Sequence, residues 1–307
     1  MTLVLKRSIE LPPHPSGGFD HGDVHLQSGR VFLAHTATGT VEIIDGARGV
    51  HQATVPGCPE ASGVLCAQDE GLVFAAARGA GKVLVIGVAS EDVIDEVIVG
   101  PKPNGLAWDV RRKRLLVADV QDFRGRLVDP HAGSVVADTE LPGRPRWCVY
   151  DSSADRFLVN IREPACVAVL GADTAAVQAR WPVSSAGPHG LDLDTEHGRA
   201  LVACDGGKVV VLDLETGREL ASVAIAGEPD AIWHNPDRSH LYVAIGRPGV
   251  IDVVDTREMA VVQVLPTEAG AHTTAFDGTR QLLYVFLPQS GRAAVYAEQQ
   301  PQPGGCA

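Results

Sequence analysis

The run Glu228-Pro-Asp230, Leu241-Tyr-Val-Ala244, Ile251-Asp-Val-Val-Asp255 holds three phrases in a fixed order. The first recurs as Cys58-Pro59-Glu60, Lys102-Pro103-Asn104, Arg144-Pro145-Arg146 and Gly187-Pro188-His189, with successive prolines about 42 residues apart. In the same phase Phe19-Asp20 precedes the series and Ala271-His272 follows it. A period near 42 is that of a four-stranded propeller blade.

The second phrase has seven copies: Val31-Phe-Leu-Ala34, Val73-Phe-Ala-Ala76, Leu115-Leu-Val-Ala118, Phe157-Leu-Val-Asn160, Ala200-Leu-Val-Ala203, Leu241-Tyr-Val-Ala244 and Leu283-Tyr-Val-Phe286. The third reads Val41-Glu-Ile-Ile-Asp45, Val83-Leu-Val-Ile-Gly87 and Val209-Val-Val-Leu-Asp213, with looser copies at Arg126 to Asp129, Val167 to Leu170 and Ala293 to Ala297. Turn formers such as Thr38-Gly39, Gly79-Ala-Gly81, Asp205-Gly-Gly207 and Ser290-Gly291 separate the two phrases, as tight antiparallel hairpins require. The repeating unit is a β-meander, so the chain is all-β and a seven-bladed propeller is expected. The last repeat stops near Glu298 after three strands, whereas Leu3 to Leu11 is a spare strand-like run. Placed outermost in the last blade, that run closes the ring and removes an open edge. The expected organisation is one domain over residues 1–298 and a mobile tail over 299–307, rich in Gln, Pro and Gly.

Gly-x-Pro before a short apolar strand, then Tyr-Val-Ala or a variant, then Val-x-Val-Val-Asp, resembles the YVTN-type seven-bladed propellers. The resemblance covers nearly the whole chain and implies architecture. It is distantly similar in kind to seven-bladed lactonases and cycloisomerases, although none of their motifs matches residue by residue. Fold likeness of this sort carries no reaction.

Bulk properties narrow the partners. The net charge of −12 and pI near 5.3 argue against nucleic acid, which needs a basic stripe. The one basic cluster, Arg111-Arg112-Lys113-Arg114, lies between two strand phrases and reads as a solvated hairpin turn. No segment has the eighteen or so apolar residues of a spanning helix, so no membrane partner is expected. The first ten residues lack a long apolar stretch and a cleavage site, and six cysteines form no Cys-x-x-Cys pair. A reduced, cytoplasmic monomer is the expectation. No phosphate loop or nucleotide cofactor is expected, because Gly79-Ala-Gly-Lys82 lacks the upstream glycine and falls in a hairpin.

In a propeller the innermost strands begin beside the axis at one mouth of the channel. The residue after each mark then forms a ring: Asp20, Glu60, Asn104, Arg146, His189, Asp230 and His272. Two registers stay open, because His21 competes with Asp20 and Ser62 with Glu60. Second strands end at the same face, which adds His35, Asp119, Cys204 and Asp205. Imidazoles, a guanidinium and carboxylates converging on an axis are richer than solvation requires, and suit acid–base work or anion capture. As catalytic residues the set nominates His189, His272, Arg146 and Glu60, and as substrate-binding residues Asn104, Arg146, Asp119 and Trp147. A metal ligand set of His21, His189, His272, Asp230 and Asp20 would suit one divalent ion of zinc, copper, nickel or iron. The ligand expected is a small anionic or metal-chelating molecule, acted on by a lyase, isomerase or hydrolase; a noncatalytic scaffold is the competing reading. Trp108, Trp147, Trp181 and Trp233 are expected to pack between blades, with Trp147 walling the site.

Overall fold

The computed structural model describes residues 2–14 and 17–299. Seven four-stranded antiparallel sheets follow one another in a ring, and apart from the one-turn 3₁₀ segment Arg78–Ala80 the described elements are strands. Six blades are sequential meanders, such as Pro188–Asp194, Arg199–Cys204, Lys208–Asp213 and Glu219–Ala224. The seventh combines Thr274–Asp277, Leu282–Leu287 and Arg292–Gln299 with the N-terminal strand Thr2–Glu10, which pairs antiparallel to Arg292–Gln299. The expected closure is therefore the observed one. The last strand runs through Gln299, one residue beyond the boundary read from sequence, and the remainder of the anticipated tail lies outside the described residues.

Burial explains which strands carry the strongest phrases. Second and third strands are covered on both faces by neighbouring blades, so they read as unbroken apolar runs. Fourth strands alternate, as Ala260–Pro266 does with every other side chain exposed. The core is correspondingly a set of interblade layers: Phe74, Val83 and Val85 of the second blade pack with Leu106, Leu115 and Val117 of the third. The aspartate closing Val-x-Val-Val-Asp has a local role. In the fifth blade Asp213 accepts hydrogen bonds from the Thr216 amide (2.8 Å) and hydroxyl (2.6 Å), which fixes the turn into the fourth strand.

The basic cluster does sit in the turn between Pro103–Asp109 and Arg114–Asp119. It is not free in solvent. Arg112 pairs with Asp109 and reaches Asp155 of the next blade at 2.5 Å. Among the described residues no helix is long and apolar enough to cross a membrane.

Candidate functional site at the channel mouth

Strand register fixes the ring. Leu106 opposes Val117, Leu191 opposes Val202 and Ile232 opposes Val243; the equivalent pairs in the first two blades are Gly22 with Leu33 and Val64 with Ala75. Two residues upstream of each lies the ring position. The ring is thus Asp20, Ser62, Asn104, Arg146, His189, Asp230 and His272. Of the open alternatives Asp20 is the ring residue and His21 lies one step deeper; Ser62 replaces Glu60. Glu60 instead occupies a left-handed rim turn (φ 50°), half exposed, with Lys102 at 3.2 Å and Arg78 at 3.7 Å. Unlike the other three residues nominated as catalytic, it does not line the cavity around Arg146.

Four nominated residues meet in one cavity of about 460 Å³: Arg146, His189, Asp230 and His272, joined by Arg162, Asp205 and Arg247. His189 is held from both sides. Its Nδ1 lies 2.9 Å from Asp205 Oδ1 and its Nε2 lies 3.3 Å from Asp230 Oδ1. Burial alone would strip its proton, but the Asp230 charge and the hydrogen bonds to Asp205 and Asp230 outweigh burial and push it up to about 9. Asp230 shows the reverse balance: burial would raise it, while the adjacent His189 imidazolium, helped by His272 and His21, holds it well below the usual carboxylate range. The Trp147 indole Nε1–H also donates to Asp230 Oδ1 at 3.2 Å.

His272 is arranged differently. Its Nδ1 lies 2.7 Å from the Gly270 carbonyl, an acceptor only, so Nδ1 carries a proton there. Nε2 then faces the cavity, 3.7 Å from Asp230 Oδ2. Arg146 is the remaining piece. It has no carboxylate within 4.0 Å among the described residues, and its Nε is shut off from solvent without a partner. Burial and the Arg144 charge, with a smaller push from Arg162, lower its pKa against the pull of Asp230 and Asp205.

Other nominated residues serve the scaffold. Asp119 is fully buried and accepts from the backbone amides of Lys102 (2.6 Å) and Gln121 (2.8 Å), so it ties the rim of the third blade instead of touching substrate. Asn104 is buried and accepts from Arg78 Nη1 at 3.0 Å, which occupies the opposite half of the mouth together with Asp20 (3.7 Å). His35 is sealed between Glu42 (3.0 Å) and His14 (2.8 Å), and Cys204 is fully buried. His21 lies against Trp147 with ring centroids 4.5 Å apart and near-parallel planes, and its Nε2 is 3.3 Å from Asp20. Trp147 therefore forms the floor of the mouth. It also meets Trp233 edge-on at 6.1 Å.

The proposed metal donors are distributed between these contacts. His189 has carboxylates at both ring nitrogens, His21 is engaged by Asp20 and Trp147, and Asp230 is held by His189 and Trp147, which leaves His272 Nε2 as the donor without a close partner. Among the described residues no three His, Cys, Asp or Glu side chains are grouped to hold an ion.

Sequence reasoning passed over Arg78 and Arg162, and Asp205 entered it only as a strand end. All three stand just past their second strands, at the position occupied in other blades by Thr36, Val120, Gly246 and Pro288. That position keeps the same 42-residue phase, so a second ring was available to the same repeat alignment.

No family model and no curated protein matches the chain. Among solved structures it is similar to Kuenenia stuttgartiensis hydrazine synthase, with 13% identity, 91% of this chain and 95% of that chain covered, and a TM-score of 0.81. At that identity the likeness shows the fold alone.

Proposed function

We propose that the channel mouth binds a small carboxylate- or phosphate-bearing molecule and moves a proton on it. The observation that carries this reading is the uncompensated guanidinium of Arg146. Around it Asp205 is committed to His189 and Arg162, and Asp230 to His189, so an incoming anion supplies the missing counter-charge. Arg146 anchors the anion, and the His189 imidazolium adds a fixed positive charge beside it. His272 Nε2 takes or returns the proton, since its tautomer is set by Gly270. Proton abstraction next to a carboxylate is the step common to many lyases and isomerases, and the same base can activate water in a hydrolase. The YVTN-type resemblance is compatible with such use of the mouth but does not select a reaction. A cytoplasmic location fits the same reading, because all five described cysteines are free and buried.

The test needs no prior substrate. Calorimetric titration with a panel of small mono- and dicarboxylates and inorganic phosphate should find at least one ligand whose affinity falls tenfold or more in Arg146→Ala. Bound carboxylic acids in D2O should exchange the hydrogen on the carbon next to the carboxylate, and His272→Asn should stop the exchange while leaving binding in place. Anion binding that is indifferent to Arg146→Ala sinks the reading. Binding without exchange for every ligand would move the protein to the noncatalytic alternative. A divalent ion is a second reading favoured by one detail: a carbonyl holding Nδ1–H of His272 is the arrangement found behind metal-bound imidazoles. Near-stoichiometric zinc, copper, nickel or iron in protein purified without an affinity tag, lost in His272→Ala, would support it.

A further inference from the structure

The far end of the channel, beneath Trp147, contains a second cavity of about 400 Å³. Its walls include Trp108, Trp147, Tyr150 and Trp233. Asp23 and Asp192 line it from the first and fifth blades, together with the His21 imidazole and a third carboxylate, Asp69, which is already paired with Lys113 and the Trp108 indole N–H. Asp23 and Asp192 occupy the same register position, opposite Phe32 and Leu201. In the other blades that position is Leu65, Ala107, Val149, Trp233 or Ala275, so the layer is otherwise apolar.

Each acid is fixed by two backbone amides and by no cation. Asp23 accepts from Val24 and Cys66, both at 2.7 Å. Asp192 accepts from Leu193 at 2.8 Å and His234 at 2.7 Å. Among the described residues neither has a Lys, Arg or His side-chain nitrogen within 4.0 Å. Amide donors orient the carboxylates but leave their charge uncompensated. Burial pushes both up to about 6, with a smaller repulsion from Asp192 on Asp23 and from Asp194 on Asp192. Above neutrality both are ionised. Two unpaired negative charges among aromatic faces make an environment that favours a cation with an apolar body: carboxylates supply Coulomb attraction, and ring faces supply cation–π contact and a dry wall.

We propose that this end of the channel is a binding site for an organic ammonium ion, with Asp23 and Asp192 as counter-charges and the aromatic side chains as walls. It shares the Trp147 wall, whose indole holds Asp230, with the anion site above, but none of that site's charged groups. Phenethylammonium, 2-phenylethanol and 3-phenylpropanoate differ mainly in charge and serve as probes on the intact wild-type protein at pH 8, followed by calorimetry and tryptophan fluorescence. The ammonium should bind one per chain, at least tenfold more tightly than the alcohol, and the carboxylate should not bind at this end. Asp192→Asn, checked for folding by its near-ultraviolet dichroism, should abolish that preference while retaining alcohol binding. Equal affinities of ammonium and alcohol for the wild type would overturn the proposal, as would failure of the ammonium to saturate by about 10 mM. The wild-type comparison decides the matter even if the variant fails to fold.

Discussion

His189 owes its charge to its two carboxylate neighbours, and that gives the protein a pH signature. The folded state holds this proton up to about 9, against an ordinary value of 6.5. Its contribution to stability is therefore complete below about 6.5 and lost as pH rises through about 9. Asp230, held low, contributes above the ordinary 3.8 and loses that contribution as pH falls. Thermal melting should accordingly be flat from about pH 5 to 6.5 and decline from there to about pH 9, and His189→Gln should remove that decline. The ring protons of His189 should titrate near 9 by NMR, moving down in Asp230→Asn; a wild-type midpoint at or below 7 would contradict the ion pair. At this scale Arg146, His189, Asp230 and His272 were legible because each directly follows the proline mark or its phase equivalent. Glu60 stands apart from them because its blade spends two extra residues in a rim turn before the inner strand, and a fixed offset from proline then lands on the rim. Asp119 was misread for another reason: the end of a second strand faces the rim backbone, whose amides it satisfies.

One element governs how closely the site can be drawn together. Below the ring, the inner strands of the second, third and fifth blades carry Gly63, Gly105 and Gly190. A Cβ at these positions would come within 2.0 Å of the Asn104 carbonyl, 2.3 Å of the Arg146 carbonyl and 2.3 Å of the Asp230 carbonyl. Glycine thus lets adjacent inner strands approach and sets where the next ring residue stands. Gly105→Ala should cost about 1–3 kcal/mol, in the range of overpacking. It should also weaken anion binding, because the backbone that must yield belongs to Arg146. Gly278→Ala, whose Cβ meets only a ring carbon of Phe276 at 3.6 Å, should leave both properties nearly unchanged and serves as control. Denaturant titration and calorimetry on the two variants compare them directly; equal behaviour would remove the packing role. Hairpins were readable from their turn residues and closing aspartates. The third strand of the third blade was read as starting at Arg126 but begins at Arg124, since Gly125 and Arg126 interrupt the apolar pattern while Arg126 is neutralised by Asp122 and Asp138.

At the scale of the whole molecule, period and count sufficed for the architecture, because repeats that bury faces only against neighbours must close or leave an edge. Closure depends on Thr2–Glu10, which buries Leu3 and Ile9 while Leu5 points to solvent. Leu3 also exchanges backbone hydrogen bonds with the Gln263 side chain of the sixth blade, at 2.7 and 3.2 Å, so the strand spans the junction as well as completing a sheet. Leu3→Ala and Ile9→Ala should each cost about 2–5 kcal/mol, whereas Leu5→Ala should be near neutral. Deleting residues 2–10 leaves Arg292–Gln299 as an unpaired edge and exposes the interface between the sixth and seventh blades. The truncated protein should melt about 10 °C or more below the full chain and self-associate, as followed by calorimetry and light scattering. A synthetic peptide of residues 2–10 added in excess should recover part of the lost melting temperature, because it restores the same ladder in trans. A truncated protein that melts within about 2 °C of the full chain and stays monomeric would mean that the ring is held shut by interblade packing alone.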